Sequence, residues 1–125
     1  MNNKRILIVD DVEFNIEFED KVIKSLCKEK GINIEIDTAF TVEEALDKIA
    51  ENDPYDAMVI DMNLPDGSGV EIAKVSRKKS EVTRLAALTI YPSKYENEMA
   101  FFDLFLRKPI MPMTYKENFS HLLYL

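Results

Sequence analysis

The chain is predicted to fold as an α/β sandwich, a parallel five-stranded sheet doubly wound by helices on both faces. Three observations carry that prediction. Short apolar runs recur along the chain, Ile6-Leu7-Ile8-Val9, Ala57-Met58-Val59-Ile60, Leu85-Ala86-Ala87-Leu88 and Leu104-Phe105-Leu106-Arg107, and such uninterrupted runs suit strands covered on both faces. Segments with helical spacing separate them, so strand and helix alternate from end to end, as a parallel sheet with right-handed crossovers requires. Asp10-Asp11, Asp61, Thr89 and Lys108 end or follow the runs. The carboxyl ends of parallel strands open onto one edge, which brings all five residues to one rim.

Each element has its own signal. After Ile6–Val9, a helix is expected over about Val12–Glu29, where Phe14, Phe18, Val22 and Leu26 repeat beside Ile16, Ile23 and Cys27, with Gly31 as its stop. Ile32 to Phe40 alternates Ile32, Ile34 and Ile36 with Asn33, Glu35 and Asp37, an edge strand with one wet face. A Ser or Thr followed three residues later by Glu can satisfy two orphan helix amides reciprocally. Thr41 with Glu44, Ser68 with Glu71, Ser93 with Glu96 and Thr114 with Glu117 fit that pattern. They predict helices over about Val42–Glu51, Gly69–Lys79, Lys94–Phe102 and Tyr115–Leu123. Leu64-Pro65-Asp66-Gly67 reads as a turn.

Composition narrows the function classes. With 125 residues and 46% hydrophobic content, the chain fits one domain, residues 1–125, and has no room for a second, output domain. A formal charge of −7 argues against direct nucleic-acid binding, which wants a basic face. Cys27 alone builds neither a disulfide nor a thiolate metal site and reads as a small buried apolar group. No stretch approaches a membrane span and no signal-peptide core precedes the first strand, so a reducing cytoplasm is the expected compartment.

Three carboxylates at one sheet edge raise one another's pKa unless a cation compensates, which predicts a hard divalent ion, Mg²⁺ by preference. Phosphoryl transfer onto a carboxylate needs such a metal, a second cation and a hydroxyl donor. Asp61 as nucleophile, Mg²⁺ on Asp10 and Asp11, Lys108 and Thr89 supply each part.

These residues resemble those of the receiver domains of two-component response regulators, over essentially the whole chain. Asp10-Asp11 resemble the acid pair, Asp61 with Pro65 and Gly69 the phosphoacceptor strand and loop, Thr89 the switch hydroxyl, and Lys108-Pro109 the Lys-Pro signature. The resemblance implies a flavodoxin-like sheet of order 2-1-3-4-5. It implies that Asp61 accepts a phosphoryl group from a sensor histidine kinase or a histidine phosphotransfer protein, and that the Asn63 carbonyl is a magnesium ligand. It further implies a cis Lys108-Pro109 peptide, and a switch in which Phe105 moves with Thr89 to signal to a downstream protein. The chain departs from the family between Thr89 and Lys108: the stretch is short, the Gly-Ala turn before the last strand is missing, and Ile90 stands where a small residue is usual. A short or displaced fourth helix is expected, and Ile90 is expected to crowd the phosphoryl site and slow its hydrolysis. The same stretch is the family's output or dimerisation face, which leaves a homodimer among the outcomes. Tyr95, Phe101, Phe102 and Phe105 gather there as core or as an interaction patch, and Arg77-Lys78-Lys79 reads as a solvated helix end.

Other readings fit less well. A calcium loop beginning at Asp61 would need glycine where Asp66 stands. A haloacid-dehalogenase-type phosphohydrolase would need a second Asp where Asn63 stands. The remaining rival is a receiver-like module that binds partners without phosphorylation-dependent switching. The altered Thr89–Lys108 stretch favours it, and the five chemical residues count against it.

Overall fold

The protein is described here by a computed structural model covering residues 3–124, with backbone only at Pro92 and Ser93. Five strands, β1 (Asn3–Val9), β2 (Asn33–Ala39), β3 (Ala57–Asp61), β4 (Arg84–Thr89) and β5 (Leu104–Arg107), form one sheet of order 2-1-3-4-5. Every pairing in that sheet is parallel. This is the predicted flavodoxin-like order, with β2 at an edge. Register aligns Val9 with Ala39 and Ile60, Asp61 with Leu88, and Thr89 with Arg107, so the chemical residues leave the sheet along one rim.

The covering layers follow from strand alternation. Leu7, Val9, Met58, Ile60, Leu85 and Ala87 face one side, with α2 (Val42–Glu51) and α3 (Gly69–Lys79) above them. Ile6, Ile8, Ala57, Val59, Ala86 and Leu88 face the other, under α1 (Glu13–Glu29) and α4 (Pro112–Leu122). Cys27 is wholly buried in this second layer. No described helix is long and apolar enough to cross a membrane.

Several local expectations are corrected. In α1 the buried stripe is Ile16, Glu19, Ile23, Leu26 and Cys27, whereas Phe14 is 74% exposed. The fourth helix is instead a 3₁₀ run, Pro92–Phe101, broken at Tyr95. No side chain caps it at Tyr91, and the Ser93 side chain of the expected capping box lies outside the described residues. α4 starts two residues before Thr114, using Pro112 in its first turn, where a missing N–H costs nothing.

The other caps form, with different partners. Thr41 Oγ1 accepts from Glu44 N at 3.1 Å, but the Glu44 carboxylate reaches back to Phe40 N rather than Thr41. Ser68 Oγ accepts from Val70 N at 3.2 Å. The Leu64–Gly67 turn closes a two-residue hairpin, Asn63–Leu64 against Gly67–Ser68, and carries Asp66 to the start of α2. There its carboxylate accepts from Val42 N and Glu43 N, which hold its pKa below the usual carboxylate value.

The basic end of α3 is exposed at Lys78 and Lys79, as expected, and two of its side chains also reach carbonyls of other segments. Lys79 Nζ donates to the carbonyls of Ile49 and Asn52, closing the end of α2. Arg77 donates to the carbonyls of Phe101, Glu81 and Thr83 and pairs with Asp103 at 2.8 Å. Asp103 also pairs with Arg84, accepts from Leu85 N at its carboxylate and donates its own N–H to Leu85 O, so it occupies the place of the missing turn and docks β5 on β4.

One close approach fixes the rim. A Cβ on Gly69 would lie 2.6 Å from Ile60 Cγ2 and 2.7 Å from the Asp61 carbonyl oxygen. Only glycine lets α3 begin against the strand end that bears Asp61. Gly69→Ala is expected to destabilise the fold by roughly 1–3 kcal/mol through overpacking, read as a lowered urea midpoint. An unchanged midpoint would show that the α3 start can shift freely.

Candidate acidic site at the sheet edge

β1 and β3 deliver their acids into the interior of the rim. Asp10 and Asp61 are buried, Asp11 is exposed, and each offers an oxygen within 4.8 Å of the others'. Asp10 follows β1, where its N–H reaches Ala39 O, and its carboxylate accepts from Val12 N at 2.9 Å and Asn15 Nδ2 at 3.3 Å. Burial pushes the Asp10 carboxyl above its ordinary value. The Val12 amide opposes this, the Asp61 charge adds to it, and Lys108 and Asn15 pull it back down.

Lys108 Nζ lies 3.0 Å from Asp61 Oδ2, and Asn63 N donates to Asp61 Oδ1 at 3.0 Å. The Lys108 backbone is held by its N–H on Thr89 O, and its peptide to Pro109 is cis, as the resemblance implies. Thr89 is buried at the end of β4, where its hydroxyl accepts from Tyr91 N at 3.1 Å. Asp10, Asp11, Asp61 and Lys108 therefore meet through their side chains, Thr89 adjoins Lys108 through its backbone carbonyl, and Asn63 joins through its amide. Phe105 stands apart from this cluster, packed against the core layer of α2 and α3. It is half-buried on the same sheet face as Ala87, edge-on to Phe102 at 5.4 Å.

Three carboxylates face one ammonium. Such an all-oxygen set, with a buried acid whose pKa is raised first by burial and then by the Asp61 charge, fits a hard divalent cation that would restore balance. Asp10, Asp11 and Asp61 are the residues able to hold it.

A family model described as response regulator receiver domain matches residues 6–117. The chain belongs to that family. This receiver domain is 28% identical over 123 residues to hybrid signal transduction histidine kinase L of Dictyostelium discoideum, covering 90% of this chain and 7% of that protein. It is 32% identical over 116 residues to response regulator protein PilR of Pseudomonas aeruginosa, covering 88% of this chain and 24% of that one. The chain thus spans a small part of both relatives. Response regulator protein TrrA of Thermotoga maritima, solved in complex with Mg²⁺-BeF, is 35% identical, with a TM-score of 0.72 over 96% of this chain and 99% of that one. The receiver domain is accordingly a signalling module of two-component systems, similar both to segments of histidine kinases and to response regulators.

Sequence reasoning missed a fourth acid. Glu19 is wholly buried in α1, four residues beyond Asn15, with Oε1 accepting from Tyr115 Oη at 2.9 Å. Its Oε2 has no partner among the described residues. Its signal is available in the sequence: position 19 falls in the Ile16, Ile23, Leu26, Cys27 stripe.

Burial pushes the Glu19 carboxyl up to about 8; the Tyr115 hydrogen bond and Lys108 oppose the rise, while the Asp10 and Asp61 charges add to it. Between its ordinary value near 4.5 and about 8, the folded chain keeps a proton that the unfolded chain has lost. Stability contributed by this group therefore declines as pH rises through that window and is level above it. Glu19→Gln removes the titration and is expected to flatten the decline in urea denaturation series from about pH 5 to about pH 8.5. Parallel pH profiles for the two proteins would rule it out.

Proposed function

We propose that this receiver domain is a phosphoacceptor switch in which Asp61 takes a phosphoryl group from a phosphohistidine on a sensor histidine kinase or phosphotransfer protein. The observation that carries this reading is the Lys108 ammonium 3.0 Å from a buried Asp61 whose oxygens lie beside those of Asp10 and Asp11. Asp10, Asp11, Asp61 and the Asn63 backbone carbonyl would hold Mg²⁺, and the Mg²⁺-BeF complex of the similar TrrA supports that assignment. When bound, Mg²⁺ supplies neutralising charge to the phosphoryl oxygens.

The chain's own groups do the rest. An Asp61 oxygen forms the new bond to phosphorus while the P–N bond to the donor imidazole breaks, the electron pair leaving with the imidazole. Lys108 stays on the developing negative charge, and the Asn63 N–H on Asp61 Oδ1 becomes available to the incoming oxygens. The Thr89 hydroxyl, which accepts from Tyr91 N, can donate its own proton to a phosphoryl oxygen, which favours a pre-existing alternative conformation. Phe105, on the same sheet face as Thr89, would answer by repacking, since it has no hydroxyl to hydrogen-bond. The chain is thus a regulator whose only chemistry is on itself, acting in the cytoplasm on a downstream protein.

Incubation with Mg²⁺ and acetyl phosphate is expected to raise the intact mass by one phosphoryl group, and Asp61→Asn to abolish the gain. No gain in the wild type would leave the non-switching interaction module as the better reading, which the 3₁₀ run favours.

Ile90 is 47% exposed directly after Thr89. There its branched side chain would hinder water approaching phospho-Asp61. Ile90→Ala is expected to shorten the phosphoryl lifetime several-fold, followed by mass spectrometry after removal of the donor, and an equal or longer lifetime would contradict that role.

A further inference from the structure

Tyr95 is the one residue of the 3₁₀ run recorded as non-helical, at φ −114° and ψ 24°. The break lets its ring drop to 8% exposure, into the core layer that holds Met62, Leu64 and Phe102, while Lys94, Glu96 and Asn97 stay exposed. Its hydroxyl donates to Asn63 Oδ1 at 3.3 Å. Asn63 is itself exposed, between buried Met62 and Leu64, and its N–H is the one on Asp61 Oδ1. A hydrogen-bonded path therefore runs from the segment after Thr89, through the Asn63 side chain and backbone, to the acceptor carboxylate. Burial, then the charges of Asp61 and Glu98, raise the Tyr95 pKa, so the hydroxyl keeps its proton.

We infer that Tyr95 is a positioning residue for the phosphoryl site, acting through Asn63: its hydroxyl fixes the Asn63 side chain and so the backbone N–H and carbonyl that serve Asp61 and the metal. This rests on the reading of Asp61 as acceptor. A purely packing role is the alternative, and the two differ in what the hydroxyl does once the ring is kept. The Asn63 N–H is held on Asp61 Oδ1, and the Tyr95 bond fixes the other end of the same residue, its side chain. Because the same segment begins three residues after Thr89, it also sets the distance between the acceptor loop and the switch strand.

The test is Tyr95→Phe, which preserves the ring. Mg²⁺ titrations of the full chain, followed by amide NMR, are expected to show affinity weakened about two- to tenfold, the effect of losing one neutral hydrogen bond. The acetyl phosphate labelling rate should fall in proportion. Asn63→Ala is expected to lose at least as much, and adding Tyr95→Phe to it should cost nothing more, since the first change removes the partner of the second. Unfolding midpoints measured alongside separate this from packing: a lowered midpoint with unchanged Mg²⁺ affinity overturns the inference. Equal affinity in wild type and Tyr95→Phe overturns it, as does an undiminished Tyr95→Phe effect in the Asn63→Ala background. Those results leave the acceptor reading standing, whereas a wild type that neither binds Mg²⁺ nor gains mass removes both.

Discussion

The charge balance at the carboxyl edge of the sheet is what the remaining structure serves. Asp61 is 1% exposed and Asp10 fully buried, so neither carboxylate can be stabilised by bulk water. Their compensation is local: Lys108 on Asp61, and the amides of Val12 and Asn63 with the Asn15 side chain on the two acids. Removing one partner from such an arrangement costs more than the pair contributes, because a buried charge is left alone. The sheet order brings β1 and β3 side by side, and Lys108 reaches across from β5 through its own N–H on Thr89 O.

The two sides of this pocket are built differently. Toward α1 and α4, a third buried acid, Glu19, extends the polar interior to Tyr115, and the layer tolerates it by keeping the carboxyl neutral near neutral pH. Toward α2 and α3 the pocket wall is backbone: Gly69 lies too close to the Asp61 carbonyl for any side chain, and the hairpin that follows β3 sends Asp66 to cap α2. The acceptor loop is thus tied to two helix starts, with Asn63 exposed between buried Met62 and Leu64.

Most of the fold was legible because its signals are local. Uninterrupted apolar runs marked the buried strands, the alternation in Ile32–Ile36 marked the edge strand, and Thr41 with Glu44 marked a helix start that formed. The rim residues were legible because parallel strands put their ends together. What stayed hidden depends on tertiary partners. Glu19 holds a core position that polarity alone assigns to the surface, and Phe14 holds a periodic position that no neighbouring element covers. Asp66 read as a turn residue, since its work is done on amides more than twenty positions away in sequence. Arg77 and Lys79 read as solvated charges because the carbonyls they bind belong to other segments.

The 3₁₀ run shows how length overrides local preference. A crossover between β4 and β5 must leave the sheet edge at Thr89, travel back along the strands and re-enter at Leu104, and here it has few residues for the task. A 3₁₀ helix rises about 2.0 Å per residue against about 1.5 Å for an α-helix, so the same chain covers about a third more distance. Stretching also gives up side-chain packing, since 3₁₀ residues eclipse every third position. The segment compensates at discrete points, with Phe101 O on Arg77 and the Asp103 hub at its far end, and Tyr95 turned inward at its break. Within the run, Lys94 N on Tyr91 O and Phe102 N on Met99 O tie its two ends, and the Tyr95 hydroxyl on Asn63 Oδ1 is where it meets the loop that follows Asp61.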